Sequence, residues 1–313
     1  MIDFLNILYL LIIVTIIVKC ADIILKAAAN IAKEFGISEY FIGFGIIAFG
    51  TSLPEMATAI FGSLSNKGPL IFGNLIGASI LDMTLVLGVM AVAGGNIIIE
   101  AKMFRVFDQA LFMSIGITLL PIFLALDGKI TRLDGVFFVM AYLIYMVLLI
   151  AREEKFKHHK HVIKKELFKN IGKLVISLSL LLISARFLVD IVVKIGINLK
   201  INEFIMGLTI LAFATTFPEM ILEVRSILKG NRDIGFGDVL GSLIANVSLI
   251  LGIAALINPF EVQVSSFITA NLFLTLSTFV ALLFFQKKHV TWKEGLALIL
   301  IYVTFVISEL VVG

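Results

Sequence analysis

The sequence predicts an all-α integral membrane protein: ten transmembrane helices, arranged as two inverted five-helix repeats with broken helices at the bilayer midplane. Three observations carry this. First, the 313 residues are 60% hydrophobic and 15% charged, with a mean hydropathy of +1.11. The apolar runs are long and do not alternate, which selects helices over a β-barrel. Second, Ala48-Phe49-Gly50-Thr51-Ser52-Leu53-Pro54-Glu55 returns as Ala212-Phe213-Ala214-Thr215-Thr216-Phe217-Pro218-Glu219. The offset, 219 − 55 = 164, holds without a gap from about 41–92 onto 205–256. Third, the basic residues between apolar runs are unevenly shared between the two sides.

Ten spans fit near 4–27, 38–64, 69–95, 105–126, 131–151, 170–197, 203–228, 234–257, 264–286 and 292–312. The N-terminus carries Asp3 and no basic run, so the first span reads as a membrane helix rather than a cleaved signal. Cys20, alone inside an apolar run, excludes a disulfide framework or a cysteine metal site and reads as a small buried hydrophobe. The link after span five holds Arg152, Lys155, Lys157, Lys160, Lys164, Lys165 and Lys169. Its side also collects Lys33, Lys102, Arg105, Lys229, Arg232, Lys287, Lys288 and Lys293, against mainly Lys67, Lys129, Arg132 and Lys200 opposite. The richer side is cytoplasmic by the positive-inside rule, which leaves both termini outside a plasma membrane.

Five spans per half is an odd number, so the halves enter the bilayer in opposite senses. The chain therefore divides into a first repeat, 1–151 (core motif 41–92), a basic cytoplasmic linker, 152–169, and a second repeat, 170–313 (core motif 205–256). His158, His159 and His161 lie in that linker and read as a solvated loop facing anionic lipid. Trp292 reads as an interfacial anchor before the last span.

The chemistry gathers at the two Pro-Glu turns. A carboxylate at membrane depth is costly and marks a functional position by default. Proline removes a helix hydrogen bond, so Pro54 is expected to free the Gly50 carbonyl and loosen Ala48 to Thr51. The hydroxyls of Thr51 and Ser52, mirrored by Thr215 and Thr216, join freed carbonyls and a carboxylate on one turn; these are ligands for a hard cation. Helical spacing places Ala48, Thr51, Glu55 and Ala59 on one face, and Ala212, Thr215, Glu219 and Glu223 on its mate. Ala78 with Asp82, and Ser242 with Asn246, share faces of the adjoining spans. Two antiparallel copies bring Glu55 and Glu219 together at mid-membrane, flanked by Asp82 and Asn246. Glu223 has Ala59 as its repeat mate and Arg225 nearby, so it reads as a structural ion pair near the cytoplasmic mouth, with a vestibule site for cations as the alternative. The spans after each turn begin Gly73-Asn74-Leu75-Ile76-Gly77 and Gly237-Asp238-Val239-Leu240-Gly241, spacing that lets helices approach closely.

These paired motifs resemble the two α-repeats of the calcium:cation antiporter superfamily, in particular its prokaryotic sodium/calcium exchangers. The resemblance implies a ten-helix fold and secondary antiport of Ca²⁺ against Na⁺. It implies ligands from Glu55, Glu219, Thr51, Thr215, the Ala48 and Ala212 carbonyls, Ser242, Asp82 and Asn246. It also implies no enzymatic activity and no cofactor beyond the transported Ca²⁺ and Na⁺ (or H⁺). The expected partners are inorganic cations and the lipid bilayer, with no nucleic acid and no obligatory protein. The chain departs from the family in places. Asp82 stands where asparagine is usual and Asn246 where aspartate is frequent; Ala78 replaces a serine, Ala214 a glycine, Thr216 a serine and Asp238 an asparagine. Losing the hydroxyl at 78 bears on a Na⁺ position, so a proton-coupled Ca²⁺ exchanger is the alternative. The Thr-Ser-x-Pro-Glu turn favours sodium, because proton-coupled relatives usually read Gly-Asn-Ala-x-Glu there.

Two other classes fit less well. Gly235-Phe236-Gly237-Asp238 matches the short Gly-x-Gly-Asp pattern of intramembrane aspartyl proteases. Its mate Ile71-Phe72-Gly73-Asn74 makes it a duplicated helix start, and no second aspartate is placed to complete a dyad. A passive cation channel shares the ligand set, but an inverted repeat around a midplane site suits alternating access.

Overall fold

The computed structural model of the chain describes residues 4–35, 38–98, 101–153, 164–197, 203–262, 264–287 and 289–312. The three histidines, Lys160 and the chain end at Gly313 fall outside the described residues. The first half runs α1 (Phe4–Phe35), α2 (Glu39–Ile42), a π-helical turn (Gly43–Ile47), α3 (Ala48–Thr51) and α4 (Leu53–Leu64). It continues with α5 (Gly68–Leu81), a π-helical turn (Asp82–Val86), α6 (Leu87–Gly94), β1 (Asn96–Ile98), α7 (Ala101–Leu124), β2 (Lys129–Ile130) and α8 (Arg132–Glu153). The second half runs α9 (Lys164–Ile197), α10 (Glu203–Met206), a π-helical turn (Gly207–Leu211), α11 (Ala212–Leu228) and α12 (Arg232–Ile244). A π-helical turn (Ala245–Ile250) follows, then α13 (Leu251–Ile257), β3 (Phe260–Glu261), α14 (Val264–Gln286), β4 (His289–Thr291) and α15 (Trp292–Val312).

Among the described residues six helices are long and apolar enough to cross a bilayer, or seven if one bent pair counts as a span. The helices α1, α7 and α15, of 32, 24 and 21 residues, occupy further expected spans. The stretches built on α5 and α12 lie at the centre, 83% and 78% buried, whereas those on α8 and α9 are 22% and 28% buried. The outer helices therefore present apolar surface outward, including Phe137, Ile144, Val147, Ile176 and Leu300. In a membrane protein that face meets lipid, so its exposure costs nothing.

The repeat is written into the packing. A Cβ built on Gly73 would sit 2.2 Å from the carbonyl oxygen of Phe204, and one on Gly237 would sit 2.4 Å from that of Tyr40. Gly77 meets the Leu208 carbonyl at 2.2 Å and Gly241 the Phe44 carbonyl at 2.7 Å. Gly207 meets Leu70 at 2.2 Å and Gly43 meets Ile234 at 2.3 Å. Each pair maps onto its partner pair by the 164-residue offset with the halves exchanged, so the core has a two-fold relation between repeats. Only glycine permits these backbone approaches, the role expected of the glycines four apart. The strands repeat the pattern: β1 pairs antiparallel with β4 and β2 with β3, one ribbon joining the halves at each of two places.

The two Pro-Glu turns are not alike. In the first, the helix breaks at Ser52 (φ −79°, ψ 8°), and the flanking pieces are bent by 41°. In the second, Pro218 lies inside the continuous 17-residue α11. This corrects the expectation of a proline break in both copies. What the halves share instead is a π-helical turn just before each motif. Such turns widen the backbone and can absorb the hydrogen bond a proline removes. A second matched pair of π-helical turns starts at Asp82 and spans Asn246, again at equivalent places.

Candidate functional site

Every side chain singled out at the two turns is buried. Thr51 and Ser52 are 1% exposed, and Glu55, Asp82, Thr215, Thr216, Glu219, Ser242 and Asn246 are fully buried. Ala48 and Ala212 are buried beside them. The α3–α4 break and α11 bring the two glutamates to one place: Ser52, three residues before Glu55, reaches Glu219. The Ser52 hydroxyl lies 3.1 Å from Glu219 Oε1 and 3.2 Å from Ser242 Oγ, which itself donates to Glu219 Oε1 at 3.4 Å.

Glu55 has no such support. Neither of its oxygens accepts a hydrogen bond, and the Thr216 hydroxyl, repeat mate of Ser52, is also unpartnered. The cause is legible in the repeat. Ser242 serves Glu219, and its mate is Ala78, which has no hydroxyl to serve Glu55. Thr215 is the neighbouring donor, but its hydroxyl lies 3.2 Å from the Ala212 carbonyl and 3.3 Å from Asn74 Oδ1. Asp82 and Asn246, at the starts of their π-helical turns, likewise have side-chain oxygens without partners.

The Ala48 carbonyl is not free here. It accepts from the Ser52 amide at 3.0 Å and lies 3.3 Å from the Thr51 hydroxyl. Thr51 shares its single proton among the carbonyls of Ala48 and Ile47 (3.1 Å) and Asp238 Oδ1 (3.1 Å). The Thr51–Asp238 contact is the repeat image of Thr215–Asn74. Asp238 is fully buried and was not among the expected site residues. The signal for it was present: a charge inside an apolar span, at a position whose mate is a neutral amide.

Glu223 is the second correction. Arg225 does not pair with it. Its Nε and Nη2 donate to the two carboxylate oxygens of Asp22 on α1, at 2.8 and 2.6 Å, with Lys229 3.8 Å from the same carboxylate. Arg225 and Glu223 are two residues apart on a helix, so they point to different sides. Glu223 faces inward, fully buried, and neither oxygen has a hydrogen-bond partner.

The centre thus holds five fully buried carboxylates: Glu55, Asp82, Glu219, Glu223 and Asp238. No lysine or arginine is buried among the described residues. An uncompensated charge in an apolar interior costs several kcal/mol or more, so such a cluster needs cations or protons to neutralise it. Among the described residues no three His, Cys, Asp or Glu side chains meet closely enough to hold a metal alone. A bound cation therefore also takes hydroxyl and carbonyl oxygens, as a hard cation does.

Fold and site together define a polytopic membrane protein with an acidic centre shared by two repeats. The chain belongs to the sodium/calcium exchanger protein family, whose profile matches residues 5–151 and 169–311. It is 26% identical to the sodium/calcium exchanger MaX1 of Methanosarcina acetivorans, over 96% of this chain and 97% of that one. It is 27% identical to the inner membrane protein YrbG of Escherichia coli, over 79% of this chain and 78% of that one. It is 28% identical to the putative antiporter CaxA of Alkalimonas amylolytica, over 80% of each. Its fold superposes on the sodium-calcium exchanger NCX_Mj, soaked with 2.5 mM Na⁺ and 10 mM Sr²⁺, with a TM-score of 0.83 at 23% identity. That match covers 97% of this chain and 98% of the other.

Proposed function

We propose that the protein is a secondary active antiporter that exchanges Ca²⁺ for Na⁺ by alternating access in the plasma membrane. The observation that carries this is the buried pair of glutamates, one from each repeat, with no hydrogen bond closed on either oxygen of Glu55. Two carboxylates balance one Ca²⁺, and a flexible shell of 6–8 oxygens is what that ion prefers. Thr51, Ser52, Thr215, Thr216, Ser242, Asp82, Asn246 and the Ala48 and Ala212 carbonyls complete the shell in this reading. The Ala48 carbonyl then gives up one of its present donors. The ten-span layout, with inverted repeats at 1–151 and 170–313 and a cytoplasmic linker at 152–169, supplies the two access states. MaX1 is named a sodium/calcium exchanger, which supports sodium. Ca²⁺ flux in proteoliposomes tests the function: an imposed Na⁺ gradient drives countertransport, and flux that needs no counter-ion would make the protein a channel instead.

Proton coupling is the second reading, and the missing hydroxyl at Ala78 is what favours it. Each Na⁺ must exchange its hydration shell for protein oxygens, and the Glu55 side is one oxygen short. Under sodium coupling, a pH gradient without Na⁺ moves no Ca²⁺, and Asp82→Asn leaves exchange substantially intact. Ala78→Ser then restores a donor to Glu55 and strengthens Na⁺ competition against Ca²⁺ by several-fold. Ca²⁺ uptake that follows the pH gradient with Na⁺ absent would reverse the assignment.

Orientation follows from charge, with both termini outside and the 152–169 linker inside. Several contacts fit this arrangement. Asn170 donates to Glu34 at 3.2 Å, and β1 pairs with β4, joining segments the basic residues place on one side. Lys67 pairs with Glu203, and Lys129 with Glu261 at 3.3 Å, joining segments placed on the other. Single cysteines at Lys160 and Gly313, in a Cys20→Ala background, are expected to label from opposite sides. Labelling of both from the same side would reject the inverted arrangement.

A further inference from the structure

The two-fold relation provides an internal comparison. On one side of the central pair the repeat supplies Ala59, Gly62, Ile71 and Asn74; on the other, the equivalent positions are Glu223, Ser226, Gly235 and Asp238. The packing is the same in kind. A Cβ on Gly62 would lie 2.7 Å from the Ile71 side chain, and one on Gly235 would lie 1.9 Å from Ser226 Oγ. The fold therefore does not require acids there, because its other half closes with alanine, glycine, isoleucine and asparagine. Only one side has been made acidic.

That side is also short of partners. Both Glu223 oxygens and Asp238 Oδ2 are buried with no hydrogen bond. The carboxylates of Asp238, Asp82 and Glu219 all lie near enough to act on the charge of Glu223. The Glu223 main-chain carbonyl lies 3.3 Å from the Cβ position of Gly235, three residues before Asp238 on α12. Residues three apart share a helix face, so Asp238 follows one turn deeper along the face that meets α11. The Thr51 hydroxyl, 3.1 Å from Asp238 Oδ1, joins this pair to the central turn. Charge gives the same result. Five buried carboxylates facing one Ca²⁺ leave three negative charges; a second Ca²⁺ leaves one, which a single proton neutralises.

We propose that Glu223 and Asp238, with the Thr51 hydroxyl, form a second Ca²⁺ position, displaced from the central pair toward the 229–231 link. It is a station between the Glu55–Glu219 site and the mouth that the basic residues place in the cytoplasm. The proposal rests on the Ca²⁺ reading of the central pair, and the test separates the two. Calcium titration of the purified full-length protein in detergent, followed calorimetrically, is expected to give two equivalents per chain. Glu223→Ala is expected to give one, since its repeat mate Ala59 shows that the backbone accepts alanine; Glu223→Gln provides the same loss with side-chain volume kept. The double variant Glu55→Gln/Glu219→Gln is expected to retain one equivalent, lost when Glu223→Ala is added. A single equivalent in the wild type that Glu223→Ala and Glu223→Gln leave unchanged would overturn the second position and leave the central one standing. Two equivalents unaffected by either Glu223 variant would overturn it as well. Loss confined to the Glu223 variants, with none in the double variant, would keep the second position and reject the central pair.

Discussion

Glu55→Gln and Glu219→Gln are each expected to abolish Ca²⁺ exchange. The amide keeps the size of the side chain and removes its charge. At ~4 Å and an effective dielectric of ~20, one unit charge is worth about 4 kcal/mol, and about twice that against a divalent ion. A loss of about 4 kcal/mol already lowers affinity on the order of a thousandfold. The two variants should differ in detail. Glu219 sits under two hydroxyls, Ser52 at 3.1 Å and Ser242 at 3.4 Å, which can turn to a glutamine. Glu55 has no partner to turn. Glu55→Gln removes a buried charge that no hydrogen bond compensates, so it is expected to be the more stable of the two variants, read as a higher thermal midpoint in detergent. Proteoliposome flux measures the exchange, and activity within tenfold of wild type in either variant would remove that residue from the site.

Gly73→Val and Gly237→Val are each expected to prevent assembly of a folded protein. Their Cβ positions fall 2.2 and 2.4 Å from main-chain carbonyl oxygens of the opposite repeat, well inside van der Waals contact. A backbone carbonyl cannot rotate aside as a side chain does, so the helices must part. Overpacking of this kind costs on the order of 3 kcal/mol or more, a large share of the stability of most folds. Size-exclusion profiles and melting in detergent report it. Gly116→Ala is the matched control, because nothing lies within 4 Å of its Cβ. It is expected to be neutral or to stabilise by about 0.5–1 kcal/mol through helix propensity. Equal behaviour of Gly73→Val and Gly116→Ala would show that the interlocked core is not what holds the repeats together.

Much of the centre was legible in the chain. Burial of Glu55, Glu219, Asp82 and Asn246 followed from an apolar context and helical spacing, both of which are local. The repeat supplied the pairing of the two turns, because an ungapped offset can be read without coordinates. The family followed from the same residues. Helical phase also held for Glu223, placed on the face of Ala212, Thr215 and Glu219. Its partner did not follow, because spacing along one helix says nothing of what stands opposite.

Sequence by itself determined that two glutamates, each after a threonine and a proline, stand at equivalent positions in related halves. Periodicity and hydropathy are properties of a single segment, and duplication is a property of the string. Tertiary structure decided everything that depends on how segments cross. It sent Arg225 to Asp22, 203 residues away in sequence, and left Glu223 buried without a donor. It set Thr51 against Asp238, 187 residues on, and absorbed Pro218 into an unbroken helix while Ser52 broke the other. A contact between helices is set by their axes and crossing, which no spacing within either helix encodes.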